Sequence, residues 1–154
     1  MPRTPAPPLV DIGHGRKMFL ACRGSGTPTV VLIAGGFEAG WLYNHALDRG
    51  DPILQKKYDA FTAGEGHPRK QRTAVFPSIA KFLRVCSYDR PNTTAWQDRF
   101  ERSGMVSTPV AQPHELRSDV GDLHALLTAA REPAPYVLVG HSYGGLMTEL
   151  FAST

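Results

Sequence analysis

An apolar run that ends directly in a glycine-rich turn restricts the fold more than any other part of this sequence. The run is residues 136–139, and the turn that follows reads Gly140-His141-Ser142-Tyr143-Gly144-Gly145. Apolar residues at helical spacing then continue from Tyr143 to Phe151. The pattern predicts a buried strand, a sharp turn and a helix, with a serine at the turn.

Two more apolar runs have the same design. Residues 29–34 lead into Gly35-Gly36, and residues 82–88 lead into Asp89-Arg90-Pro91. Uninterrupted apolar strands are typical of parallel sheets that are covered on both faces. We therefore predict an α/β fold, with a mostly parallel sheet flanked by helices and a site at the carboxyl ends of the strands.

The clearest helix is predicted at residues 114–130, before the last strand. One face carries its apolar residues, which are Leu116, Val120, Leu123, Leu127 and Ala130. The acidic residues Glu115, Asp119 and Asp122 are expected to lie mostly off that face. The helix should therefore cover the sheet with its apolar side and expose its carboxylates.

The chain is predicted to hold one domain, residues 9–154, after a proline-rich lead-in at residues 1–8. Residues 9–12 and 17–22 should form a β-hairpin across a glycine-containing turn. The stretch 49–74 is polar and broken by glycine and proline, with at most a short helix at residues 53–61.

Composition excludes several classes of protein. The formal charge is +3, and the one basic cluster, at residues 69–72, is short and reads as a solvated loop, so no nucleic-acid partner is predicted. No apolar stretch is long enough to span a membrane, and the N-terminus has no signal-peptide core. A cytoplasmic protein without membrane contact is the default expectation.

The two cysteines, Cys22 and Cys86, each lie in an apolar, strand-like run. Buried free thiols that behave as small hydrophobic groups are the favoured interpretation. A disulfide between them stays open from the sequence, although two distant cysteines do not resemble a secreted disulfide framework.

The chemistry of the turn depends on its shape. A serine at a tight, strained strand-to-helix turn projects its hydroxyl above the sheet, and Gly140 and Gly144 must be small because strand and helix approach closely there. The amides at the start of the helix point at the position where an oxyanion develops. The alternative is a glycine-rich turn in which Ser142 is inert.

In this turn and in three other segments, the sequence resembles the N-terminal half of α/β-hydrolases of the esterase, haloperoxidase and aminopeptidase-like group. The matching segments are residues 29–36, Tyr88-Asp89-Arg90-Pro91, residues 122–127 and residues 135–145. Two positions depart from the family pattern: Ala34 stands where many relatives have histidine, and Asn92 stands where they usually have glycine.

The resemblance implies a role for each residue of the turn. Ser142 would be the nucleophile, and the backbone amide of Tyr143 one oxyanion donor. The second backbone donor would be Gly36, with Phe37 next in line. Gly140, His141, Gly144 and Gly145 would shape the elbow, and neither a metal nor a cofactor is expected.

In this fold the catalytic acid and histidine follow the serine along the chain. After Ser142 the sequence holds one acidic residue, Glu149, and no histidine. Four upstream histidines have no carboxylate partner at a recognisable spacing: His14, His45, His67 and His114. His141 is expected to pack locally in the turn and His124 to pack on its helix, and none of the six clusters as metal ligands would. We therefore predict a fragment, inactive by itself, of an enzyme for a small-molecule acyl substrate, with residues 136–139 exposed as an edge open to self-association.

The same residues bear on three other functions. A non-catalytic interaction protein would pair with another chain through that sheet edge. A cofactor-free haloperoxidase would use the same catalytic triad and cannot be separated from an esterase on these residues. A dehalogenase with a carboxylate nucleophile is disfavoured because position 142 is serine.

Overall fold

A computed structural model describes residues 8–36, 38–40, 43, 74–93, 95–97, 101–103 and 107–154. The elements in these residues are β1 (Leu9–Gly13), β2 (Arg16–Arg23), β3 (Thr29–Ile33), α1 (Val75–Ile79), β4 (Val85–Tyr88), β5 (Ala95–Gln97), β6 (Glu101–Ser103), α2 (Leu116–Ala129), β7 (Tyr136–Gly140) and α3 (Tyr143–Ala152). The predictions for Phe37, the helix at 53–61, the basic cluster at 69–72 and most of the lead-in fall outside the described residues.

The main sheet has five strands in the order β1-β2-β4-β3-β7. β1 and β2 form the predicted antiparallel hairpin, and β2 is antiparallel to β4. β4, β3 and β7 run parallel to one another, while β5 and β6 form a separate antiparallel pair. The predicted α/β architecture is confirmed, and the carboxyl ends of three parallel strands lie side by side with β3 in the middle.

Both faces of β3 are covered. Alternate residues point to opposite faces of a strand, so Val31 and Ile33 pack in one cluster with residues of α2 and α3, while Val30 and Leu32 pack with Phe76 of α1. All five residues of β3 are buried, as its apolar run predicted. The start predicted for the next strand was wrong: Phe82 is 68% exposed, and β4 begins at Val85.

Helix α2 buries more than its predicted apolar face. Val120, Leu123 and Leu127 are buried as expected, but Asp119 and Asp122 are buried too, at 7% and 8% exposure. Each aspartate lies four residues before a buried leucine, Leu123 or Leu126, and therefore on the same side of the helix. The expectation that these carboxylates lie off the buried face was wrong.

Cys22 and Cys86 form a disulfide. The two residues are directly opposite each other in the register of β2 and β4, with their Cα atoms 4.1 Å apart. Because strand register is set by long-range pairing, the spacing of the cysteines along the chain could not reveal this contact. The expectation of two free thiols was wrong.

Asn92 adopts the left-handed conformation that a glycine would take, with a φ of 61°. Its side-chain amide donates to the carbonyl of Val110 at 2.9 Å, and its carbonyl accepts from the Val110 N–H at 3.1 Å. Asparagine tolerates this conformation, so the turn after β4 keeps its shape despite the departure from the family pattern.

In the described part of the chain, β7 pairs with β3 and with no other strand. Val137 and Val139, on one face of β7, are 44% and 40% exposed, and Leu146 of α3 is 54% exposed. The predicted strand is confirmed, and its second edge is open over these residues. None of the helices described has the length and apolar character needed to cross a bilayer.

Candidate active site

Three segments meet at the carboxyl ends of the parallel strands. Gly35-Gly36 follows β3, Asp89-Arg90 follows β4, and His141-Ser142 follows β7. The N–H of His141 donates to the carbonyl of Ile33 at 3.0 Å, which ties the end of β7 to the end of β3. The predicted site at the carboxyl ends of the strands therefore contains the candidate nucleophile after β7 and the candidate oxyanion loop after the neighbouring β3.

Ser142 has a φ of 54° and a ψ of −120°, between the last residue of β7 and the first of α3. A positive φ is rare for a residue with a side chain, and such strain costs on the order of 1–3 kcal/mol. Hydrogen bonds of 2.8 Å from Gly144 N–H to the carbonyl of His141 and from Gly145 N–H to that of Ser142 hold the turn. Ser142 is exposed, so its side chain faces open space above the sheet.

Two glycines make this turn sterically possible. A Cβ at Gly140 would lie 2.2 Å from the carbonyl oxygen of Gly144, and a Cβ at Gly144 would lie 2.3 Å from that of Ile33. Backbone atoms cannot move away as a flexible side chain can, so any larger residue must displace strand or helix. At Gly145 a Cβ would meet nothing within 4 Å, so sterics alone do not require glycine there.

The loop after β3 lies against the start of α3. A Cβ built on Gly36 would be 3.9 Å from the Cβ of Tyr143, so the two residues assigned as oxyanion donors are neighbours. Among the described residues, neither the N–H of Gly36 nor that of Tyr143 forms a hydrogen bond. Both amides are therefore available to a ligand; Phe37, the second choice, lies outside the described residues.

Glu38 closes the other side of this loop. Its Oε2 accepts from the N–H of Gly35 at 3.0 Å and lies 3.1 Å from Nδ1 of His141. Its own N–H donates to the carbonyl of Gly35 at 3.1 Å. One carboxylate thus connects the loop to the residue before Ser142, and it does so at the surface, since the His141 side chain is 65% exposed.

Beneath the turn, the hydroxyl of Tyr143 donates to Oδ2 of Asp119 at 2.8 Å. Burial and this negatively charged partner raise the pKa of Tyr143 to about 12. The phenol therefore stays protonated and remains a donor at physiological pH. Its ring also lies over the guanidinium of Arg90, 5.1 Å from ring centroid to Cζ.

His114 does have carboxylate partners, contrary to the sequence-based expectation. Its Nε2 lies 3.4 Å from Asp119 and 3.5 Å from Asp122. Asp122 also accepts hydrogen bonds from both terminal nitrogens of Arg16. These residues have the types and closeness of metal ligands, but the same carboxylates already accept from Arg16 and Tyr143, so the group forms a charged network below the site.

The other histidines in the described part of the chain have local roles. His124 stacks on Phe151 of α3, with ring centroids 3.8 Å apart, and His14 lies in the β1–β2 turn with a φ of 53°. Among the described residues no histidine ring is hydrogen-bonded to Ser142. His45 and His67 lie outside these residues.

Sequence reasoning did not assign Arg90, Glu38 or Asp119 to the site. Asp119 could have been found from its helical position, four residues before Leu123. Arg90 and Glu38 each bind main-chain atoms of the loop after β3, and contacts of that kind leave no pattern in the sequence.

Known proteins are similar to this chain in part of their sequence or fold. No protein-family model matches the chain. An uncharacterized protein of Schizosaccharomyces pombe is 32% identical over 149 residues, a match that covers 89% of this chain and 23% of the relative. The chain thus spans less than a quarter of that relative's length.

Solved structures show the fold. An esterase from Exiguobacterium antarcticum is similar with a TM-score of 0.59 at 13% identity, over 96% of this chain and 40% of the esterase. A bromoperoxidase from Bacillus anthracis is similar with a TM-score of 0.57 at 21% identity, over 96% of this chain and 39% of the bromoperoxidase. The chain has the α/β-hydrolase fold, and it corresponds to only part of each of these proteins.

Proposed function

We propose that this chain carries the nucleophile and the oxyanion-binding part of a serine hydrolase that acts on an ester, amide or related acyl bond of a small molecule. The observation that carries the proposal is Ser142, strained at positive φ between β7 and α3. Beside it lie two amides that form no hydrogen bond with any described residue. Strained backbone at such a position is typical of functional sites. A glycine at this position would adopt the same backbone angles without the strain, so an inert turn would gain nothing from a serine there.

The proposed chemistry needs no cofactor. Ser142 Oγ attacks the acyl carbon and its proton passes to a base, while the carbonyl oxygen becomes an oxyanion that accepts from the N–H groups of Gly36 and Tyr143. The positive end of the α3 dipole lies at the same place. Collapse releases the alcohol or amine, and water then hydrolyses the acyl-serine.

None of the described residues is placed to act as the base. A serine hydroxyl is a poor nucleophile without a general base, and no described histidine is bonded to Ser142. Since the chain corresponds to 39–40% of the esterase and the bromoperoxidase, we propose that polypeptide outside residues 1–154 supplies the acid and the histidine. On this proposal the 154 residues alone do not turn over substrate.

The test is covalent labelling with a fluorophosphonate probe, on the longest natural polypeptide that contains residues 1–154. We expect one labelled peptide, which contains Ser142, and no labelling of the Ser142→Ala variant. The chain of 154 residues should react more slowly by a factor on the order of 10³ or more, because loss of the base costs about that much or more. Labelling that survives Ser142→Ala, or no labelling of the longest polypeptide, contradicts the proposal.

A haloperoxidase without cofactor is the second candidate, favoured by the similarity to a bromoperoxidase. It would use the same serine, so labelling does not separate the two. Peroxide-dependent bromination of a phenolic dye by the labelled polypeptide, lost in Ser142→Ala, would support it. Hydrolysis of acyl esters without bromination would exclude it.

The open edge of β7 favours a further proposal, in which residues 136–139 pair with another strand, of a second copy or of a different chain. An apolar edge strand is a template for such pairing, and Val137 and Val139 are both at least 40% exposed. The test is sedimentation of the 154-residue chain and of Val139→Lys, with Thr108→Lys as a control away from the edge. Concentration-dependent association that only Val139→Lys reduces supports pairing, and a wild-type monomer at all concentrations contradicts it.

We also propose that the protein resides in an oxidising compartment. Disulfides persist in oxidising compartments and are rare in the cytosol. The Cys22–Cys86 bond therefore favours an oxidising compartment over the cytoplasm predicted from the sequence. Mass spectrometry of alkylated native protein decides it: two alkylated cysteines would restore the cytoplasmic prediction.

A further inference from the structure

Arg90 is a buried cation that donates hydrogen bonds to the loop after β3. The residue is 4% exposed. Its Nη1 donates to the carbonyl of Ala34 at 2.6 Å, and its Nη2 donates to the carbonyls of Gly35 and, at 3.1 Å, Gly36. Burying a charge is costly unless polar groups compensate it, so three converging carbonyls indicate that loop and guanidinium hold each other in place.

The contact with Arg90 fixes the orientation of the peptide group between Gly35 and Gly36. The carbonyl of Gly35 and the N–H of Gly36 belong to one planar, trans peptide group, in which they point in opposite directions. Because Arg90 holds the carbonyl from within the protein, the N–H of Gly36 must point the other way, to the exposed side. The N–H of Gly35, by contrast, is already used by Glu38.

The same guanidinium contacts the second segment of the site. Its Cζ lies 5.1 Å from the ring centroid of Tyr143, within the range of a cation–π interaction. The Tyr143 hydroxyl is fixed at its other end by Asp119. Arg90 therefore touches both segments that carry the proposed oxyanion donors. Its planar fork presents two nitrogens to separate carbonyls in a fixed geometry, whereas the ammonium of lysine is a single centre of charge.

We infer that Arg90 is a positioning residue, which sets the N–H of Gly36 relative to that of Tyr143 so that both point at one oxyanion. It does not touch the substrate. This inference rests on the proposed function, in which Ser142 is the nucleophile. The alternative is that Arg90 only stabilises the fold.

The experiment compares Arg90→Met and Arg90→Lys in the longest natural polypeptide that contains residues 1–154. Fluorophosphonate labelling gives the limiting rate of reaction and the probe concentration at half-maximal rate. A matched control is Arg84→Met, at the other end of β4, where the guanidinium pairs with Glu132 at 2.7 Å far from the turn. The amide signal of Gly36, from ¹⁵N-glycine NMR spectra of the unreacted protein, reports the loop directly.

We expect Arg90→Met to lower the limiting rate about 100-fold, as misplaced oxyanion donors do, with the half-maximal probe concentration nearly unchanged. Arg90→Lys should recover about tenfold of this loss. The Gly36 amide signal should move in both Arg90 variants and not in Arg84→Met. Arg84→Met should label like the wild type.

Several results would overturn the inference. One is a folded Arg90→Met that labels at the wild-type rate, and another is an equal slowing by Arg84→Met. Should Arg90→Met fail to fold, Arg90→Lys decides: a wild-type rate with an unmoved Gly36 signal excludes the positioning role. If the wild type itself is not labelled, the proposed function fails and the oxyanion role of Arg90 fails with it. The Gly36 signal then shows only whether Arg90 holds the loop after β3.

Discussion

The hydroxyl of Tyr143, the residue after the proposed nucleophile, donates a 2.8 Å hydrogen bond to the buried carboxylate of Asp119 on α2. Helices α2 and α3 are thereby joined by a polar contact directly below the turn. Asp119 also lies close to His114, so a charged network supports the segment that carries an oxyanion donor. The position of this amide depends on residues more than twenty positions away in the chain.

Tyr143→Phe tests the strength of this contact. It leaves a buried carboxylate without its donor, which costs about 1–3 kcal/mol, and we expect a fall of that size in the free energy of unfolding. Tyr136→Phe is a matched control: its hydroxyl donates to the Glu132 carbonyl at 2.8 Å, and the loss of a bond to a neutral acceptor should cost about 1 kcal/mol or less. Urea denaturation measures both, and equal effects would show that Asp119 has no special role.

Gly144→Ala tests the close approach of strand and helix. The new Cβ would lie 2.3 Å from the carbonyl oxygen of Ile33, a backbone atom that cannot yield, so we expect a loss of more than about 3 kcal/mol or failure to fold. Gly121→Ala in α2 is the control. A Cβ there meets nothing within 4 Å, and alanine should stabilise the helix by up to about 1 kcal/mol. Thermal unfolding that ranks the two variants otherwise would contradict the structure.

Some of this molecule could be predicted because local pattern and tertiary environment agree. Residues 30–33 are apolar without interruption and lie buried on both faces, and the spacing of Gly140, Ser142 and Gly144 predicts the turn that the structure contains. In each case the size and apolar character of the side chain indicate directly whether the position is buried or closely packed.

The rest depends on pairings between distant segments. The Cys22–Cys86 bond follows from the register of β2 and β4. The burial of Asp119 depends on the hydrogen bond from Tyr143, and that of Asp122 on the ion pair with Arg16. A polar residue on a helix is expected at the surface unless its partner is known. Arg90 binds main-chain carbonyls, and every residue has one, so no sequence pattern shows its acceptors.

Loss of the disulfide should weaken the β2–β4 contact. The bond closes a loop with a sequence separation of 64, for which the loss of unfolded-state entropy is about 4 kcal/mol. We expect the Cys22→Ala, Cys86→Ala double variant to lose roughly 2–4 kcal/mol of unfolding free energy in non-reducing buffer. A reducing agent should destabilise the wild type by a similar amount and leave the double variant unchanged. If the unfolding free energy of the wild type did not change with the reducing agent, this would argue against the disulfide.

Asp89 should make stability depend on pH. Burial raises the pKa of this carboxyl to about 6, although the N–H of Gly40 donates to it at 2.7 Å and opposes the shift. The folded state therefore holds this proton more tightly than the unfolded state, whose carboxyl has an ordinary pKa near 4. Stability from this group is present below about pH 4 and is lost as the pH rises through 6, by roughly 3 kcal/mol in all.

Asp89→Asn isolates the effect, because an amide copies the protonated carboxyl and its oxygen still accepts from Gly40. We expect the stability of Asp89→Asn relative to the wild type to rise by about 3 kcal/mol between pH 3.5 and 7.5, since only the wild type must ionise a buried group. Glu149→Gln, on the exposed side of α3, controls for the loss of one carboxylate. Urea denaturation across this pH range measures the difference, and parallel curves for wild type and Asp89→Asn would show that Asp89 does not titrate there.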